Sequence, residues 1–528
     1  MSKRAAFDSS VAVLTALAFG LGFTLVVPCG AAADGVGATP PVLVTLWFDT
    51  EDYVLPQSDD AAKRLAEILT KLGVRATFKI VGEKARVLEQ RGRIDVIQAL
   101  RAHEIGYHTD MHSRPPTPAT YLQRAGWEDG IAEFLRREAA GAKDVERILG
   151  RPLTAYGQPG ASWAPQAYPA LRRMGIPMYL DEADHVGLDD QPFHFGGMLN
   201  VFRMRSTLAR MELSGGTSLE EGKAEFAAVA DRVRAKGGGT VSVYYHPCEW
   251  VHERFWDAVN FSDGANPPRE AWRKPGVRPA AETEQAFADF ERFIAFVKAQ
   301  PGVRFVTASE LAQLYADRAL DREFTRDDLV SVARAVQGEQ TFQRRDGYSL
   351  SVADMFSLLV QALATHAREG TLPASLRLRV LDGPAEAFEP AIGSGQGQGD
   401  AAGGAAFAWE AFARATAEVA RFTEDEKRVP AEVWVGARNV SPSEYLAMLG
   451  AVVESLAATG RPPAEIARRS AAFTADRHVA AHAPGLWSWP IFPKGFHAPR
   501  IMQLARLQAW TLKPAVLAPG GGSRPQTS

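Results

Sequence analysis

Cysteine is nearly absent: Cys29 and Cys248 are the only two in 528 residues. A disulfide framework is therefore excluded as the source of stability. Charge of one sign is lacking too. Lys and Arg number 59 against 62 Asp and Glu, a net charge of −3, which gives no global reason to expect nucleic acid as a partner. Long apolar runs are missing except at 11–27, at the short end of the roughly 17–25 residues that span a bilayer. That stretch follows Lys3 and Arg4 and precedes Ala31-Ala32-Ala33, the layout of a secretory signal peptide cut after Ala33. The expectation is a 1–33 signal peptide and an exported, periplasmic or extracellular protein that meets a membrane only through that segment if it stays uncleaved. Cleavage leaves Cys248 alone, so no intrachain disulfide forms and stability rests on the core.

What is present is an ordinary globular composition, 46% apolar and 23% charged, in a chain too long for one hydrophobic core. Over residues 41–317, short β-branched and aromatic runs alternate with helical patterns. Residues 42–48 read as a buried strand, continuously apolar as parallel sheets require. Further strands are expected at 76–81, ending at Tyr107, and at 154–156, 177–180, 240–245 and 303–306. Helices are expected near 60–72, 94–102 and from Ala308. Seven or eight such units predict an α/β fold, a barrel-like domain or, in competition, an open doubly wound sheet.

After about Arg318 the pattern becomes mainly helical, giving an accessory domain at 318–515 with a flexible Gly-rich loop at 393–405. Residues 516–528 read as a disordered tail. A faint repeat flanks the loop. Residues 349–359 parallel 439–449, each placing a serine before an acidic residue and an apolar helical face, a helix N-terminus signature. Residues 372–376 and 429–433 also correspond. This pattern resembles pseudomurein-binding repeats, small helical modules of cell-wall proteins; plain helical scaffolding is the alternative.

Three segments at predicted strand ends carry chemistry. Phe48-Asp49-Thr50-Glu51-Asp52-Tyr53 puts three acids in four positions, costly unless solvated in a turn or bound to a cation. Glu104-Ile105-Gly106-Tyr107-His108-Thr109-Asp110-Met111-His112 sets two histidines four apart, a spacing that on one helical turn points both imidazoles at one metal. Val243-Tyr244-Tyr245-His246-Pro247 delivers a histidine to the end of an apolar strand that proline then stops.

Together these segments resemble the NodB-homology polysaccharide deacetylases, the fourth carbohydrate esterase family, over roughly residues 42–314. The resemblance implies a distorted (β/α) barrel of the NodB-homology type followed by the mainly helical C-terminal domain. It implies Asp49 as general base and His246 as general acid. It implies Asp52 with His108 and His112 as ligands of a divalent metal, Zn2+ first, with Glu51 the alternative carboxylate. Tyr156 would lie near the oxyanion. The implied reaction removes N- or O-linked acetyl groups from an extracytoplasmic polysaccharide or cell-wall glycan. An amide hydrolase acting on a small non-sugar substrate, or a non-catalytic glycan-binding protein with a degenerate barrel, are the alternatives. Two departures stand out. The acids are split as Asp49 and Asp52 rather than adjacent, and Tyr156-Gly157-Gln158-Pro159 has Gly157 where the family has the arginine that orients the base. Asp181 or Asp184 is a candidate to tune His246. Cys248, as a ligand or a buried thiol, and Trp47, Tyr53, Trp163 and Trp250, as sugar platforms or core, complete the list.

Overall fold

A strand buried on both faces needs apolar residues without interruption, and residues 42–50 supply them: β1 (Val42–Thr50) is buried at every position. Around it the computed structural model, which describes residues 39–213, 218–384, 386 and 406–518, builds a ten-stranded sheet curled into a half-barrel. The segment 1–33, the Gly-rich loop at 393–405 and residues 519–528 of the expected tail lie outside the described residues.

The remaining strands of the half-barrel are β2 (Thr77–Ile80), β3 (Glu104–Tyr107), β4 (Leu153–Tyr156), β5 (Met178–Leu180), β6 (Phe193–Phe195), β7 (Met198–Val201), β8 (Gly239–Tyr245) and β9 (Val303–Val306). Their order is β6-β7-β5-β4-β3-β2-β1-β8. Pairings from β7 through β5, β4, β3, β2 and β1 to β8 are parallel, and only β6 runs antiparallel to its neighbour. β1 is flanked by β8 along Val42 to Phe48, while its other side is shared by β9 at Val42 to Thr45 and β2 from Trp47 on. Each predicted strand is present within a residue or two. The β6–β7 hairpin was not expected.

The C-terminal part returns to the sheet. Lys513–Pro514 pairs antiparallel with β6, and Ala518 N–H donates to Leu314 O, so residues 516–518 of the expected tail are placed. The described residues from Thr39 to Ala518 fall in one compact unit. Among the described residues, no helix is long and apolar enough to cross a membrane.

The faint repeat is structural. Ser351 and Ser441 each cap a helix, Val352–Glu369 and Pro442–Thr459, with Asp354 and Glu444 completing capping boxes. Each helix follows a hairpin, Gln343–Arg345 with Tyr348–Leu350 and Val433–Val435 with Arg438–Val440. One pairing needs correcting. The strand after the first helix, Ser375–Arg377, corresponds to Glu465–Ala467 after the second, not to residues 429–433, which enter the hairpin ahead of it. Proline before a short strand occurs at both ends of the unit, so composition aligned the wrong end.

Candidate active site

Parallel strands gather their carboxyl ends on one side, and the chemistry-bearing residues stand there. Asp49 is near the end of β1, His108 directly follows β3, Gly157 follows β4, Asp181 follows β5 and His246 follows β8.

The two histidines meet by a route other than the one expected. Residues 108–112 form a loop, not a helical turn, with Thr109 at φ 64° and His112 at φ 50°. The left-handed backbone at both positions folds the loop so that the imidazole centroids lie 4.8 Å apart.

Glu51, not Asp52, faces them. Glu51 Oε2 lies 2.8 Å from His112 Nε2 and 3.5 Å from His108 Nε2, while Trp256 Nε1–H holds its other oxygen at 2.7 Å. Asp52 is turned away: its carboxylate accepts from Val54 N (2.8 Å), Leu55 N (3.1 Å), the Ser58 hydroxyl and His252 Nε2 (2.8 Å). Beyond the end of β1 the two neighbouring carboxylates have separate partners, and the one that faces the imidazoles is at 51.

Each imidazole is oriented from behind. His108 Nδ1 lies 3.0 Å from Gly157 O, which can only accept, so Nδ1 carries the hydrogen and Nε2 presents its lone pair. His112 Nδ1 contacts the Ser113 hydroxyl, which donates onward to Asp257 Oδ2 at 2.8 Å. This relay again leaves Nε2 turned toward Glu51.

Two imidazole nitrogens and a carboxylate oxygen, all buried and within 4.8 Å of one another, suit a divalent cation. His112 Nε2 has no hydrogen-bond partner of good geometry despite its closeness to Glu51. Burial alone would raise the Glu51 carboxyl and lower the His112 imidazole, yet their mutual attraction holds Glu51 well below its usual range and raises His112. Proton and cation compete for that one place. The residues therefore fit a divalent metal. Asp49, His108 and Asp181 also meet ligand spacing, but the ammonium of Lys79 already lies 2.9 Å from Asp49 and 2.7 Å from Asp181.

Asp49 and His246 flank the cation site, with His246 Nε2 3.7 Å from Asp49 Oδ2. Asp49 is nearly fully buried, which would raise its carboxyl; His108, Lys79 and His246 outweigh that and keep it below the usual range. Burial likewise works against a charged His246, but the Glu249 carboxylate, 2.5 Å from Nδ1, raises it to about 9. Arg210 Nη2 holds the other Glu249 oxygen at 2.8 Å. The partner of His246 is thus Glu249, and neither Asp181, bound to Lys79, nor Asp184, bound to Arg205.

The other candidates fall into the core. The Tyr156 ring packs against Tyr107, Phe134 and Tyr179, which leaves its backbone, the group expected near the oxyanion, as its only route to the site. Trp47, Tyr53, Trp163 and Trp250 are buried, as is Cys248, whose thiol burial pushes well up. Aromatic rings with exposure beside the site include Phe255 and Tyr244, 5.0 and 5.9 Å from the His246 ring, and Trp489, 5.8 Å edge-on to His112. Trp489 comes from the C-terminal part, anchored where Asp263 N–H and Gly264 N–H donate to Pro490 O and Ile491 O.

Sequence reasoning missed Lys79, Glu249, Ser113, Asp257, Trp256 and Trp489. Two had a signal: Lys79 is a charge inside an apolar strand, and Glu249 stands one turn beyond His246.

No family model and no curated protein matches the chain. Solved structures do. One described as a polysaccharide deacetylase from Mycobacterium smegmatis is 18% identical, with TM-score 0.35, over 54% of this chain and 93% of that one. A Xyl-CE4 domain of a multidomain xylanase from the hindgut metagenome of Trinervitermes trinervoides is 14% identical, with TM-score 0.28, over 52% and 90%. One from Pseudomonas aeruginosa, also described as a polysaccharide deacetylase, is 13% identical, with TM-score 0.34, over 52% and 90%. Others are described as pseudoenzymes of the same CE4 family. Identities this low do not bear on chemistry.

Proposed function

We propose that this chain is a metal-dependent hydrolase that removes acetyl groups, N- or O-linked, from an extracytoplasmic polysaccharide. The observation that carries the reading is the convergence of Glu51, His108 and His112, with an orphaned His112 Nε2, beside the Asp49 carboxylate and the His246 imidazole.

Glu51, His108 and His112 would hold the cation, zinc in the first instance. Three protein ligands leave a coordination position open, as catalytic rather than structural zinc sites do. A cation held there would supply Lewis acidity, acidifying water and polarising an acyl oxygen. The rest falls to the chain. Asp49, ionised and held by Lys79, takes the proton of the attacking water on Oδ2. His246, charged at neutral pH through Glu249, gives its Nε2 proton to the departing nitrogen or oxygen. The two groups are adjacent but of opposite protonation, as a base and an acid for one reaction must be. A positioned proton donor of this kind typically contributes about 10²–10⁴-fold.

The test is acetate release from acetylated chito-oligosaccharides, peptidoglycan and acetylated xylan with zinc supplied, His108→Ala serving as control. Zinc-dependent release lost in the variant supports the reading. Turnover of small amides alone, or saturable glycan binding with no turnover by folded, zinc-loaded protein, would replace it with an amidase or a binding protein.

A further inference from the structure

Lys79 is a charge where a strand calls for none. β2 is buried throughout, and Lys79 has 0% exposure. A buried ammonium is expensive unless it is paired and hydrogen-bonded. Here Nζ donates to Asp181 Oδ2 at 2.7 Å and to Leu180 O at 2.8 Å, and it forms an ion pair with Asp49 Oδ1 at 2.9 Å. Two hydrogen bonds and one ion pair thus surround the ammonium, and Lys79 is the cation facing an Asp49 Oδ1 that has no hydrogen bond of good geometry. The face of Trp47 lies 4.1 Å away.

The surrounding backbone is cut to fit this side chain. Asp49 and Lys79 are direct partners in the β1–β2 register, and Lys79 and Gly106 in β2–β3. A Cβ at Gly106 would lie 2.8 Å from Lys79 Cγ, and a Cβ at Gly157 would lie 2.0 Å from Nζ and 2.1 Å from Asp181 Oδ2. Two glycines on two neighbouring strand ends leave the volume that the lysine and its second carboxylate fill. Gly157 is the position where the sequence lacks the arginine expected to orient the base. The cation has not been lost; it enters from the adjacent strand.

We propose that Lys79 is the positioning residue of Asp49, clamping Oδ1 so that Oδ2 is presented beside His246 Nε2, and that Asp181 holds the clamp. The inference rests on the proposed hydrolase function for its kinetic consequence, but not for its geometry. Lys79 and Asp181 have no hydrogen bond or ion pair with Glu51, His108 or His112, but Asp49 Oδ1 lies 3.5 Å from His108 Nδ1, so zinc affinity is measured beside turnover.

The experiment uses the full chain with Lys79→Met, Lys79→Arg and the double variant Lys79→Met/Asp181→Asn, which also removes the charge of Asp181 and leaves Asp49, beside His246, as the carboxylate that has lost its ammonium. Each is assayed for zinc affinity by calorimetry, for kcat and KM on whichever acetylated glycan the parent turns over, and for the Asp49 rotamer by crystallography. The expected result is a fall in kcat of about 10²-fold or more in both Met variants, with KM and zinc affinity within about threefold of the parent. Lys79→Arg is expected to recover part of the loss, which a purely structural role does not predict. A rotated Asp49 carboxylate is expected in the Met variants. Parent-like kcat in the folded double variant, or an unmoved Asp49, overturns the clamp. A parent that binds zinc and releases no acetate sinks the hydrolase reading, and the Asp49 rotamer then decides the clamp by itself.

Discussion

Glu51 and Asp52 are sequence neighbours whose carboxylates serve different partners, so one isosteric change at each separates the cation site from its support. In Asp52→Asn the amide keeps the volume but meets four donors with one acceptor oxygen: Val54 N, Leu55 N, the Ser58 hydroxyl and His252 Nε2. Hydrogen bonds to a charged acceptor contribute about 1.5–3 kcal/mol each, and breaking a buried ion pair from one side costs about 3–5 kcal/mol. The expected loss is therefore about 3–5 kcal/mol of stability, read as a lower denaturation midpoint, with zinc affinity changed by less than about tenfold in the protein that remains folded. In Glu51→Gln the Trp256 Nε1 bond at 2.7 Å survives, but the attraction to His112 that holds the Glu51 carboxyl low is lost, so the apo protein is expected to have a lower midpoint at neutral pH. Zinc affinity is another matter. Loss of an outer partner of a ligand costs about 10–100-fold, so loss of the carboxylate that faces both imidazoles is expected to cost more than about 100-fold, some 2.7 kcal/mol. Zinc titration against a competing chelator, with urea denaturation of the apo proteins beside it, reads both quantities. Should Asp52→Asn lose zinc while folded and Glu51→Gln keep it, the assignment of the two carboxylates is wrong.

Two further changes probe the acid and the rim. Glu249→Gln removes the strongest support of the charged His246, leaving Glu51 and Asp49 alone to oppose burial. A charge-assisted hydrogen bond of about 1.5–3 kcal/mol corresponds to roughly 1–2 pKa units, so the alkaline limb of kcat/KM is expected to move down by that much. The sign follows from a raised histidine, which is charged below its pKa of about 9 and loses its proton as pH rises through it. An unmoved limb would mean that His246 is not the acid. Trp489→Ala removes the indole edge-on to His112 and is expected to raise KM by roughly 10-fold with kcat and zinc affinity little changed, as loss of a sugar-stacking ring would. Gly160→Ala should act in the same direction, because its Cβ would lie 2.5 Å from the Trp489 ring; unchanged KM in both would reduce Trp489 to packing.

The strands were legible because parallel strands buried on both faces write themselves as unbroken apolar runs, and 42–48, 240–245 and 303–306 needed no partner to be recognised. Asp49, His108 and His246 could be expected together from that, since a polar residue at the end of such a run is delivered to one edge of the sheet, whereas their roles and the ligand set rested on the family resemblance. What the chain order did not reveal is which way a side chain turns once the strand has ended. Glu51 and Asp52 differ by one position and have separate partners. His108 and His112 meet through two left-handed residues rather than a helical turn, and spacing alone does not distinguish the two.

The support of the site was illegible for a related reason: its members are close only across strands. Lys79 is 30 positions from Asp49 and Asp181 is 102 from Lys79, yet register puts the first pair side by side and the carboxyl end of β5 completes the set. In this light Gly157 changes meaning. Read along the chain it is a missing arginine and an argument for a degenerate site. Read across the sheet, it is the space that a buried lysine and its carboxylate require, and a substitution there that restored a long side chain would collide with Nζ at 2.0 Å. Absence of a motif residue counts against function only when nothing from a neighbouring strand occupies its place, and here Lys79 does.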